Sequence, residues 1–102
     1  MMNLDYIRAV CSELGEVRSL NCCDNVFGNI EVEIITLNGT RLYIASDRGE
    51  YLCYVKRNRF FIEHLVPINA LLNIPQNKVY TSLVDIVNFV KTNLTAIESK
   101  RY

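Results

Sequence analysis

The chain has 102 residues, half of them apolar, and its formal net charge is zero. That is enough to bury one core without staples, and it excludes a disordered chain, a strongly basic nucleic-acid binder and a multidomain protein. The neutrality hides a polarity: residues 1–50 hold eight acids against four bases, and residues 51–102 hold three acids against seven bases.

In chain order, the first element is a helix. Asn3 can cap it, and Leu4, Ile7, Cys11 and Leu14 recur at three- and four-residue spacing, with Gly15 placed to end it. A weak strand is predicted at Val17 to Cys23, followed by turn formers Asp24-Asn25 and Gly28-Asn29, between which Phe27 is expected to tuck into the core edge.

Stronger strands are predicted at Ile30 to Leu37, Thr40 to Ala45 and Glu50 to Val55. The first two are joined at Asn38-Gly39. A two-residue turn there would split the apolar residues between faces. A three-residue loop, Leu37-Asn38-Gly39 with Gly39 left-handed, places Ile30, Val32, Ile34, Leu42 and Ile44 on one face, and is preferred for that reason. Reading Asp47-Arg48-Gly49 the same way adds Leu52 and Tyr54 to the core. Glu31, Glu33, Arg41, Tyr43, Ala45, Tyr51 and Cys53 then share the opposite face.

Lys56 to Arg59 (KRNR) is read as a turn, and Phe60 to Ile62 as a last short strand. Pro67 opens a short helix that buries Ile68, Leu71 and Leu72 and stops at Asn73-Ile74-Pro75. Ser82, with Asp85 three residues on, caps a long final helix whose stripe is Leu83, Ile86, Val87, Val90, Leu94 and Ile97. Glu98 to Tyr102 is expected to fray. The fold class is α+β: one domain over residues 1–102, an antiparallel meander of three to five strands, with the helices packed mainly on one face.

Several chemistries lack their residues. The four cysteines (11, 22, 23 and 53) include no C-x-x-C pair, and the adjacent Cys22 and Cys23 cannot readily bond to each other. They are read as structural thiols. One histidine, His64, offers neither a zinc set nor a catalytic triad. Glu31 and Glu33 point the same way along a strand, but a chain this small has little room for a sugar cleft. There is no Gly-rich phosphate loop. The opening MMNLDYIRAV lacks a basic stretch followed by an apolar one, and no apolar run is of membrane-spanning length. A cytoplasmic binding protein, not an enzyme, with no cofactor and no metal, is therefore expected.

Three runs carry a resemblance: ASDRGEYLCYV (Ala45 to Val55), LVPINALLN (Leu65 to Asn73) and SLVDIVNFVKTNLTAI (Ser82 to Ile97). With the element order, they resemble small immunity proteins of bacterial contact-dependent growth inhibition and related polymorphic toxin systems. The resemblance implies a monomer that binds a cognate, cationic toxin domain, such as a nuclease, one to one and masks its active site. It implies no direct contact with nucleic acid or membrane. The expected binding residues are Glu31, Glu33, Tyr43, Asp47, Glu50 and Tyr51, an acidic and aromatic surface suited to a cationic partner. The alternative is a secretion chaperone or adaptor that holds a peptide segment.

Overall fold

The structure is a computed structural model that describes residues 3–22 and 28–100. The reading of Phe27, and of Cys23 to Val26 beside it, falls outside these residues. Among the described residues the chain runs α1 (Leu4–Cys11), β1 (Glu16–Cys22), β2 (Ile30–Ile35), β3 (Arg41–Asp47), β4 (Glu50–Arg59), β5 (Ile62–Pro67), α2 (Ile68–Leu71), α3 (Leu83–Thr92) and α4 (Leu94–Ser99). The strands form one antiparallel sheet in the order β1-β2-β3-β4-β5, the expected meander.

The caps behave as their chemistry requires. The Asn3 side chain accepts a hydrogen bond from the Asp5 N–H at 2.6 Å, and Ser82 accepts from Asp85 N–H at 3.3 Å. The first helix, however, stops at Cys11, with Ser12 as its C-cap. Gly15 therefore does not end it, but stands at the junction with β1.

The β2–β3 register follows the buried alternation. Ile34 pairs with Leu42 and Val32 with Ile44, across the three-residue loop whose Gly39 has φ 86°. Ile30, Val32, Ile34, Leu42 and Ile44 are all fully buried. Helices α1, α2 and α3 pack against this same side of the sheet. They bring Ile7, Cys11, Ile68, Leu71, Leu83, Ile86, Val87 and Val90 into one core, with Ile97 of α4. Removing this much side-chain volume is costly, so Leu or Ile to Ala here would lose about 2–5 kcal/mol.

The β3–β4 connection differs from the expectation by one residue. It is a two-residue turn, Arg48-Gly49, with φ 55° and 82°, and Ile44 pairs with Cys53. Tyr51, Cys53 and Val55 consequently enter the core, while Leu52 and Tyr54 move to the other face. Two contacts hold this register: Asn29 Oδ1 accepts from Arg48 N–H at 3.1 Å, and Tyr80 O accepts from Tyr51 N–H.

The run KRNR is not a turn. β4 continues through it to Arg59, and the turn is Phe60-Phe61, both left-handed at φ 53° and 64°. Left-handed angles cost a residue with a Cβ about 1 kcal/mol or more, so two phenylalanines are an unfavourable choice for this turn. The last helix also differs. It breaks at Asn93, whose side chain donates to Phe89 O at 2.8 Å and competes with the helical ladder. The predicted stripe survives the break, with Leu83, Ile86, Val87, Val90 and Ile97 buried. Glu98 does not fray: it accepts hydrogen bonds from Thr36 and Thr40, each at 2.7 Å, and from Asn38 at 3.2 Å.

Candidate functional site

Side chains alternate along each strand, so the pairing register fixes what stands on the face opposite the helices. In rows along the sheet, Asp47 pairs with Glu50, Glu31 with Ala45 and Ala45 with Leu52. Next come Glu33, Tyr43, Tyr54 and Pro67, then Ile35, Arg41, Lys56 and Leu65. Five of the six expected binding residues (Glu31, Glu33, Tyr43, Asp47 and Glu50) therefore do share this open face. The sixth, Tyr51, is on the core side and only 7% exposed. Burial raises its phenol pKa, with a smaller contribution from Tyr6. It is removed from the site by the one-residue shift described above. Tyr54 takes its place.

The open face has three parts. Its centre is aromatic: the Tyr43 and Tyr54 rings lie 6.1 Å apart and tilted by 47°, next to half-buried Leu52. One end is acidic, with Glu31, Asp47 and Glu50 all exposed. The other end is closed by ion pairs. Lys56 contacts Glu33 and lies 3.5 Å from Glu63, and Arg41 reaches Glu63 at 2.9 Å. Lys56 also sits over the Tyr43 ring at 5.4 Å. The Glu33 hydrogen bond raises the Lys56 pKa, and the Arg41 hydrogen bond, helped by Lys56, lowers that of Glu63. Arg18, turned onto this face by a bulge between Val17 and Ser19, borders a cleft with Glu33, Arg41 and Lys56.

Glu33 is thus neutralised within the chain, and its carboxylate adds little to an acidic surface. Nor is it free to act with Glu31 as an acid–base pair. The partner residues Arg41, Lys56 and Glu63 were visible in the sequence as charges, but pairing them requires the register of β2 to β5 to be known together.

Among the described residues the cysteines show no convergence. Among the described residues no three His, Cys, Asp or Glu side chains gather as a metal site. Cys11, Cys22 and Cys53 are free thiols, and Cys11 and Cys53 are buried. Burial pushes Cys11 up to about 11 and raises Cys53 as well. Thiolate is the reactive form. In native protein at pH 8, Cys11 and Cys53 should therefore resist a disulfide-exchange reagent for hours while Cys22 reacts, as peptide mapping would show. Fast labelling of either buried thiol would contradict this packing. No described helix is long and apolar enough to cross a membrane.

Compared with family models, curated proteins and solved structures, the chain gives no significant match.

Proposed function

We propose that the chain is an immunity protein: it binds a cognate cationic toxin domain in the cytoplasm through the open face of its sheet and covers that domain's substrate groove. The observation that carries this reading is the open face itself. Its centre, the aromatic pair Tyr43 and Tyr54 with Leu52 beside them, is held by a five-stranded sheet, and an acidic end of Glu31, Asp47 and Glu50 lies next to it. Rigid aromatic groups anchor interfaces at small entropic cost, and a rim of one charge sign speeds encounter with the opposite sign. A nuclease groove is cationic because it binds phosphates, so clustered carboxylates on a fixed surface can occupy it. The role asks for no catalysis and no cofactor. Each chain would cover one toxin domain.

The reading expects a toxin domain encoded immediately upstream, and the test is to co-express such a domain with this chain and measure association rates. Wild-type protein should restore growth. Glu31→Lys with Asp47→Lys should slow association about tenfold at low salt, with the difference shrinking as salt is added. Tyr54→Ala should instead speed dissociation. Unchanged association of the double charge reversal would remove the acidic end from the interface. A chaperone or adaptor would hold an unfolded segment along an outer strand, β1 or β5, and neither open-face change would then matter.

A further inference from the structure

The β4–β5 hairpin exposes four large apolar side chains close together in sequence. Phe60 is 82% exposed, Phe61 fully exposed, Ile62 60% and Leu65 46%. The two phenylalanines hold left-handed angles that asparagine and glycine adopt far more readily, and Phe61 gains no buried contact in return. Beside this tip lies a groove of about 580 Å³, whose walls include Arg57, His64, Val66, Pro67 and Ala70. Tip and groove are both built on this hairpin, with Ala70 of α2 adding to the groove wall, and β5 is an outer strand of the sheet. An apolar outer strand with free backbone groups is a template for pairing.

We propose that, in place of the monomer the resemblance implies, the chain is a homodimer with β5 at its two-fold interface, in which each copy's Phe60-Phe61 tip enters the other copy's groove. The backbone selects the register. Arg59 and Ile62 flank a two-residue turn, so they form a hydrogen-bonded pair, and the pairs alternate from there. Ile62, His64 and Val66 direct their backbone groups to β4. Glu63, Leu65 and Pro67 direct theirs outward, and Pro67 has no N–H. A two-fold axis at His64 pairs Glu63 with the second copy's Leu65, in both directions, and uses every outward N–H of the strand. It also sets Ile62 against Val66 and carries the Phe60-Phe61 turn to Pro67 at the end of the second copy's β5, beside the groove wall at Ala70. Self-complementary contact of this kind is what a two-fold interface requires.

The area suffices. An aromatic side chain can bury about 150–250 Å², so four phenylalanines with the groove walls they cover reach roughly 1,200 Å² or more, the range of stable interfaces. Pairing would join two sheets into one, with the open faces continuous and available, so two partners could bind per dimer.

The test is sedimentation equilibrium of the full chain at tens of micromolar, with two variants. Wild-type protein should show twice the 11.8 kDa chain mass. Phe60→Asn with Phe61→Gly gives the turn its preferred residues, so it folds at least as well, and it should show a single chain mass. Leu65→Pro removes an outward N–H without touching the β4 ladder, and should also yield single chains. A monomeric wild type overturns the proposal, whether or not the tip then binds anionic vesicles or an acidic pocket of another protein. So does a double tip variant that remains dimeric. A dimeric Leu65→Pro variant overturns the β5 pairing.

Discussion

Gly15→Ala is expected to lower the unfolding free energy by roughly 3 kcal/mol, a large effect for one methyl group. A Cβ built at Gly15 would lie 2.2 Å from the Ile35 carbonyl oxygen and 2.8 Å from Thr36 Cα. Both are backbone atoms, and neither can step aside cheaply. Ile35 is held in two ladders, opposite Glu16 and Arg41, and Thr36 N–H donates to Thr40 O at 2.9 Å. The methyl must therefore push the start of β1 away from β2, with α1 attached to it through buried Leu14. Gly39→Ala is the control. Its φ of 86° strains any side chain, but a Cβ there meets nothing within 4 Å. It should cost about 1 kcal/mol. Gly15 itself has φ 155°, so both variants carry an unfavourable angle and only Gly15→Ala adds the close approach: in thermal denaturation it should fall by about 10–20 °C, well beyond Gly39→Ala. A smaller loss at Gly15 than at Gly39 would mean that the junction relaxes and that the close approach is not a constraint.

Gly15 also marks where local reading of the sequence ends. A glycine after an apolar stripe resembles a helix cap, and nothing near it announces the backbone of β2, twenty residues away. The β2–β3 hairpin was legible because only one register buries all five of Ile30, Val32, Ile34, Leu42 and Ile44. β4 offers no such asymmetry. Tyr51, Cys53 and Val55 form one apolar track and Leu52 and Tyr54 another, so alternation alone cannot choose between them. The choice is made by Asn29 and Tyr80, which hold the ends of the turn and strand from elsewhere in the chain. The β4–β5 turn was hidden because Asn58 looks like a turn residue and Phe60-Phe61 do not. The same limit applies to the site. Glu31, Glu33 and Tyr43 are legible as sharing a face because the β2–β3 register can be read from burial, whereas Asp47 and Glu50 join that face only through the observed β3–β4 pairing. That Glu33 is neutralised by Lys56, and that Tyr54 rather than Tyr51 faces outward, depends on the β3–β4 register and could not be read locally.

Glu98→Ala is expected to remove about 2–3 kcal/mol, although the residue stands almost at the end of the described chain. One carboxylate oxygen accepts from the Thr36 and Thr40 hydroxyls, and the other from Asn38. These three donors flank or lie within the β2–β3 loop, so Glu98 fastens α4 across the turn that fixes the core register. Thr36 is only 4% exposed, and alanine would leave its hydroxyl with less to donate to. Burial alone would raise the Glu98 pKa, but the hydrogen bonds from Thr40, Thr36 and Asn38 outweigh it and hold the group below its usual value. The direction sets the pH dependence. An unfolded glutamate titrates near about 4.3, so the stabilisation is complete above that value and disappears as pH falls through the lower folded value. Glu98→Gln keeps the shape, cannot titrate and accepts well through one oxygen only, so it should lose less than alanine at pH 7. Wild type and Glu98→Gln should therefore converge in stability between about pH 5 and pH 2, while their difference stays constant from pH 6 to 8. Urea unfolding of both proteins across this range measures that difference directly and cancels the acid sensitivity of Glu63, which is the same in each. A difference that does not narrow in acid would show that the carboxylate's charge contributes nothing to closing the loop, and that Glu98 holds α4 by shape and packing alone.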